Sequence, residues 1–104
     1  MEEATREIVW TKAALRDLQE IYEFNISPLG EAKAFALVEA IRDKADLLYQ
    51  PVVGSTRFVS TRYPERNYQK LVVGPYLLIF RQIGQVVFVN RIFDSRQNPS
   101  KLEL

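Results

Sequence analysis

The chain has 104 residues and a formal net charge of +1, and it contains neither cysteine nor histidine. This length predicts a single domain over residues 1–104. The sequence shows neither a signal peptide nor a run of about 18 apolar residues, which predicts a cytoplasmic location. Without Cys or His there is no disulfide, thiol nucleophile, imidazole base or zinc ribbon, so we expect neither a metal ion nor a cofactor.

The N-terminal part of the chain predicts a strand and then a helix. Glu7–Trp10 is typical of a short strand, and Thr11 can cap the following helix because its hydroxyl can accept from an early backbone N–H. Apolar residues then recur at helical spacing, at Ala14, Leu15, Leu18, Ile21 and Tyr22. Asp17 is expected on the opposite, polar side of this helix.

A second helix is predicted directly downstream. Ser27 is interpreted as its N-cap and Pro28 as its first residue, where the missing N–H costs nothing. Its apolar stripe consists of Ala34, Val38, Ile41, Ala45 and Leu48. Pro51 is predicted to end it. Because few residues join the two helices, we expect an antiparallel helical hairpin.

The C-terminal half has the composition of a β-sheet. Tyr68–Val73, Tyr76–Gln82 and Gln85–Phe93 are rich in Val, Ile, Phe and Tyr, and the short connections between them predict an antiparallel meander. The middle strand is apolar on both faces, as expected at the centre of a sheet. Arg57–Ser60, within the long polar loop Pro51–Asn67, can add an edge strand. The predicted fold class is α+β, with the helical hairpin packed on a small twisted antiparallel sheet in the order β-α-α-β-β-β.

The two halves of the chain differ in charge. Residues 1–53 carry six basic and ten acidic side chains, a net charge of −4, whereas residues 54–104 carry eight basic and three acidic ones, a net charge of +5. We therefore expect a cationic surface that attracts nucleic acid or an acidic protein segment. Alternatively, Arg81 and Arg91 line the solvent face of the sheet or pair with helix carboxylates. The candidate binding residues are Arg57, Arg62, Arg66, Lys70, Arg81, Arg91 and Arg96.

Several segments, in this order and spacing, resemble one known family over nearly the whole chain. They are Ile8–Thr11, then Tyr68–Arg81 with its central Val73-Gly74-Pro75-Tyr76, and finally Val89–Pro99, which closes on Arg96-Gln97-Asn98-Pro99. The chain resembles the toxins of bacterial type II toxin–antitoxin (plasmid stabilisation) modules, the ParE/RelE superfamily. The resemblance implies the same order of elements, and it implies a toxin that arrests growth.

The superfamily has two mechanisms, and the resemblance bears on both. RelE-like toxins cleave messenger RNA on the ribosome with a cluster of basic residues and often a C-terminal tyrosine, whereas ParE-like toxins inhibit DNA gyrase by binding. Lys70 and Arg96 fall at RelE-like positions, but Leu77 stands where those toxins carry a key arginine. Leu102 and Leu104 occupy the tail in which the tyrosine would lie.

The missing groups favour the binding mechanism. RNA cleavage without a metal needs a base for the ribose 2′-OH, a stabiliser of the phosphorane and a proton donor, and loss of one stabilising donor costs about 3 kcal/mol. We therefore favour a ParE-like toxin that binds DNA gyrase and is neutralised, in a heteromer, by an acidic and partly disordered antitoxin. The alternative is a metal-independent mRNA endoribonuclease that acts with the ribosome and uses Lys70, Arg81 and Arg96.

Overall fold

The computed structural model describes residues 7–49, 55–97 and 102. Its elements in chain order are β1 (Glu7–Trp10), α1 (Lys12–Leu29), α2 (Glu31–Ala45), a short 3-10 helix (Asp46–Tyr49), β2 (Thr56–Phe58), β3 (Tyr68–Val73), β4 (Tyr76–Ile83) and β5 (Val86–Asp94). The α+β class and the order β-α-α-β-β-β are confirmed, and β2 is the additional edge strand. Pro51 and Leu104 lie outside the described residues.

The strands form one open sheet in the order β1-β5-β4-β3-β2. The meander β3-β4-β5 is antiparallel, as predicted. Gly74 and Gly84 each begin a two-residue turn with a φ near +60°, which such turns require and glycine adopts without strain. The sheet is mixed rather than wholly antiparallel, because β1 joins its edge parallel to β5 with Ile8 opposite Val87.

The helical hairpin forms, but its turn is not where the sequence predicts it. Helix α1 continues through Ser27 and Pro28 and ends at Leu29, so these two residues do not start the second helix. The break is at Gly30, whose φ of 87° and ψ of 160° belong to a region that is essentially restricted to glycine. Its N–H donates to the Ile26 carbonyl oxygen at 2.7 Å and closes the last turn of α1. A Ser-Pro pair therefore marks a helix start only where the preceding helix has already ended.

The core is divided by the sheet. On one face, helix residues such as Leu18 and Ile41 pack against Leu78 of β4 and its neighbours. On the other face, Tyr68, Ile79, Phe93 and Leu102 form a second buried cluster, with Phe58, Tyr63 and Leu77 packed against it. Strand β4 is thus apolar on both faces, as predicted. Leu15 was expected in the buried stripe of α1 but is 52% exposed. No helix within the described ranges is both long and apolar enough to cross a membrane.

Candidate functional site

Arg91 of β5 is bound by Asp17 of α1. Its Nε donates to Asp17 Oδ2 at 2.8 Å and its Nη2 to Oδ1 at 3.1 Å. The side chains of the arginine and the aspartate are 23% and 10% exposed. The same carboxylate accepts the backbone N–H of Ile92 at 2.9 Å. This bidentate pair holds the guanidinium in place, so Arg91, a predicted binding residue, is the arginine that pairs with a helix acid.

The pair continues the contacts that join β1 to β5. The last residue pair between these strands is Trp10 opposite Val89. Beyond it, the Thr11 N–H donates to the Val89 carbonyl at 3.1 Å and the Thr11 hydroxyl to the Asn90 carbonyl at 3.0 Å. Thr11 also caps α1, as predicted, by accepting from the Ala14 N–H. Thr11 and Asp17 therefore provide hydrogen bonds to β5 where β1 has ended.

The expectation that Asp17 faces solvent is wrong. The residue is 8% exposed, and the sequence does contain a signal for this. Asp17 lies three residues after Ala14 and four before Ile21, which is within the apolar stripe itself. A carboxylate at a stripe position needs a partner when it is buried, and the arginines of the C-terminal half are the available donors.

Arg96 is bound by a carboxylate as well, at the end of β5. Its Nη2 donates to Asp94 Oδ2 at 2.8 Å, and its Nε and backbone N–H both donate to Oδ1 at 2.9 Å. These hydrogen bonds hold the pKa of the Asp94 carboxyl below its usual value of 3.8 although burial opposes the shift, and they raise the pKa of Arg96. The Arg96 side chain is 65% exposed. It lies beside Tyr76, which is opposite Asp94.

Three other arginines surround two tyrosines on the sheet face that the helices do not cover. The Arg66 guanidinium carbon lies 3.8 Å from the centre of the Tyr63 ring, and that of Arg62 lies 5.5 Å from the same ring. Arg66 Nη1 donates to the Tyr68 hydroxyl at 3.1 Å. The Arg81 guanidinium carbon lies 5.9 Å from the centre of the Tyr68 ring. We name Arg62, Tyr63, Arg66, Tyr68 and Arg81 the arginine–tyrosine patch.

Local hydrogen bonds shape the loop that carries three of the five residues of this patch. The hydroxyl of Ser60, which is 1% exposed, accepts the Tyr63 N–H at 2.8 Å. The Tyr63 carbonyl in turn accepts the Arg66 N–H at 3.0 Å. Tyr63 was not predicted from the sequence, where its only signal is an aromatic residue between two arginines. The hydrogen bond to Tyr68 raises the pKa of Arg66, to which the nearby Tyr63 and Glu65 also contribute.

The strand register decides which remaining cations lie beside the patch. Tyr68 is opposite Arg81, and Lys70 is opposite Ile79, so Lys70 lies on the same face. Arg57 is opposite Gln69 and therefore points to the other face of the sheet. Within the described residues, no carboxylate forms an ion pair with Arg57, with Lys70 or with an arginine of the patch.

A cleft of about 590 Å³ lies between α1 and the end of β5. Four carboxylates contribute to its lining, those of Asp17, Glu20, Glu23 and Asp94. Asp17 and Asp94 are already bound by arginines. The part of the chain that the structure describes holds no group of three or more acidic side chains placed to bind a metal ion. Arg91 also lines the cleft, and Glu20 and Glu23 are the carboxylates in its lining that no arginine binds within the described residues; we name it the acidic cleft.

A family model and a solved structure are similar to this chain. A model of the ParE toxin of the type II toxin–antitoxin system parDE matches residues 8–99. A solved structure described as the chromosomal ParDE toxin–antitoxin system from P. aeruginosa has a similar fold, with a TM-score of 0.62 and 23% sequence identity. The similarity covers 86% of this chain and 96% of that one. No curated protein sequence gives a significant match.

Proposed function

Because the chain belongs to the ParE toxin family of type II toxin–antitoxin systems, we propose that it arrests growth by binding DNA gyrase and breaks no bond in its target. It acts in the cytoplasm, where a cognate antitoxin neutralises it in a heteromer. The observation that carries this proposal is the arginine–tyrosine patch, which offers cationic and aromatic groups whose guanidiniums form no ion pair within the described residues. Such a surface binds an anionic macromolecule through charge and stacking.

The surroundings of the patch support binding over cleavage. Its tyrosine at position 68 is 1% exposed and accepts from Arg66, and Leu77 packs in the second apolar cluster instead of offering a cation. Asp94 is bound by Arg96. A hydrolytic site needs a base within hydrogen-bond reach of the attacking hydroxyl. The carboxylate closest in sequence to the patch is that of Glu65, which is exposed in the loop.

The same face suits the antitoxin. An acidic segment can place its carboxylates on Arg62, Arg66 and Arg81, which form no ion pair within the described residues. Arg91 contributes little to such contacts, because Asp17 holds it at the edge of β5. Antitoxin binding through these arginines weakens as salt is raised.

One observation favours the endoribonuclease as second candidate. Lys70 and Arg81 lie on the same face of the sheet, one strand apart. Arg96, the third residue of that hypothesis, lies beyond the end of β5 and donates both of its guanidinium hydrogen bonds to Asp94. The cluster that cleavage would need is therefore incomplete.

A supercoiling assay with purified gyrase, run beside an mRNA-cleavage assay on translating ribosomes, tests the proposal. We expect the wild-type toxin to inhibit supercoiling and to leave the message intact. The double variant Arg66→Gln/Arg81→Gln should lose at least about tenfold in inhibition, since each substitution removes a contact cation. Lys33→Gln/Arg42→Gln removes the same charge from exposed positions of α2 and should inhibit like the wild type. Cut messages with unaffected gyrase would overturn the proposal.

A further inference from the structure

We propose that the arginine–tyrosine patch, together with Lys70, binds the phosphodiester backbone of DNA. This inference rests on the proposed function and names the ligand of that same surface: the toxin contacts the DNA that gyrase holds as well as gyrase itself.

The guanidinium groups are held in place without being neutralised. Arg66 stacks at 3.8 Å on Tyr63 and donates one N–H to the Tyr68 hydroxyl. A guanidinium has five N–H groups, so stacking on a ring leaves most of them available to an anion. Because the side chain is already ordered, less conformational entropy is lost when it binds a phosphate.

The sheet arranges these cations in rows. Arg81 lies beside Tyr68, and Lys70 lies one row further along the same face of β3. Successive residues on one face of a strand are about 7 Å apart and neighbouring strands about 4.8 Å apart. Cations at such intervals match a linear polyanion that carries one charge every few ångströms, better than they match a single small anion.

The distribution of charge over the molecule favours one orientation. Glu20 and Glu23 lie on α1, which packs on the opposite face of the sheet, and both line the acidic cleft. A polyanion is attracted to the patch and repelled by the cleft, so DNA approaches the sheet face. The tyrosines of the patch are largely covered, Tyr68 by the second cluster and Tyr63 by Arg66, so the patch presents mainly its cationic groups to a partner.

The test is a titration of a fluorescently labelled short DNA duplex with the purified toxin, without gyrase, over a series of salt concentrations. With three to four phosphate contacts, the logarithm of the association constant should fall with the logarithm of salt with a slope of about −3. The variant Arg81→Gln should bind more weakly at low salt and reduce the magnitude of the slope by about 1. The variant Arg42→Gln, an exposed cation of α2, should leave the slope unchanged.

The outcomes separate this inference from the proposed function. No binding at low salt, or equal losses for Arg81→Gln and Arg42→Gln, would overturn the DNA site even if supercoiling is still inhibited. Preference for an RNA strand of the same length by tenfold or more would also overturn it. So would binding of an acidic peptide through the patch under conditions in which the duplex does not bind. If the toxin binds DNA through the patch but leaves gyrase active, the DNA site is supported. That result would count only against gyrase as the target.

Discussion

The arginines of the C-terminal half fall into two groups with different surroundings. Arg91 and Arg96 are each held by two or more hydrogen bonds to a carboxylate of the same chain. Arg66 and Arg81 lie against tyrosine rings and form no ion pair within the described residues. The difference follows from the fold, because α1 brings Asp17 to the edge of β5, whereas no helix of the described part of the chain covers the face that carries the patch.

This contrast shows that a net positive charge does not by itself identify a binding surface. A paired arginine stabilises the fold and gives up much of its attraction for a partner, because its charge is already compensated. A guanidinium stacked on a ring keeps its full charge and most of its donors. Of the predicted binding residues, those of the patch and Lys70 are therefore the ones best placed to contact an anionic partner.

Among the substitutions that test this contrast, replacing Asp17 by alanine should lower the free energy of unfolding the most. It removes both hydrogen bonds to Arg91 and the acceptor of the Ile92 N–H, leaving a half-buried guanidinium without its carboxylate. Breaking one partner of a buried pair costs about 3 kcal/mol, so the free energy of unfolding measured in urea should fall by about that amount.

The matched control is Glu20→Ala, which removes a carboxylate from an exposed position of the same helix. It should change the free energy of unfolding by less than about 0.5 kcal/mol. Equal losses for both variants would mean that the charge of α1 matters and the pair with Arg91 does not.

Replacing Tyr68 by phenylalanine tests the arginines that lie against tyrosines, and it should lower the free energy of unfolding by an intermediate amount. The ring stays in the second cluster, but Arg66 loses the hydroxyl that accepts its N–H at 3.1 Å. One neutral-acceptor hydrogen bond is worth about 1 kcal/mol, which urea unfolding can measure. Tyr49→Phe, an exposed tyrosine of the 3-10 helix, is the control and should be close to neutral. A neutral Tyr68→Phe would show that stacking on Tyr63 alone orders Arg66.

Replacing Asp94 by asparagine should have the smallest effect. Arg96 lowers the pKa of Asp94 in the folded state, so the pair stabilises the fold above the usual carboxyl pKa of 3.8 and ceases to do so as the pH falls through the lowered pKa. Since Arg96 is 65% exposed, the loss of unfolding free energy at pH 7 should be smaller than that of Asp17→Ala or Tyr68→Phe. Thermal unfolding across pH 2–7 measures it, with Asp43→Asn on α2 as the control for net charge. A difference that persists at the lowest pH would contradict the role of this pair.

Local features of the sequence predicted most elements because their causes are local. The cap at Thr11 needs only a hydroxyl before a helix, and the meander around Gly74 needs only apolar strands joined by a turn residue. The hairpin turn was predicted at the wrong residue because Ser27-Pro28 and Gly30 are both signals of a helix boundary and lie within four residues. The boundary lies at Gly30, because the glycine backbone can adopt the conformation that reverses the chain. Pro28 lies in the last turn of α1 and does not end the helix there.

The sequence by itself determined the kinds of elements, their order and the charge contrast between the two halves, since periodicity and composition depend on neighbours along the chain. Only the tertiary structure decided which arginines are paired. Asp17 and Arg91 are 74 positions apart, and their contact exists because α1 packs at the point where β1 ends beside β5. Likewise, Tyr63 reaches Arg66 and the second cluster only through the fold of its loop. Ion pairs and stacked rings depend on distances of a few ångströms, which packing sets and sequence spacing does not.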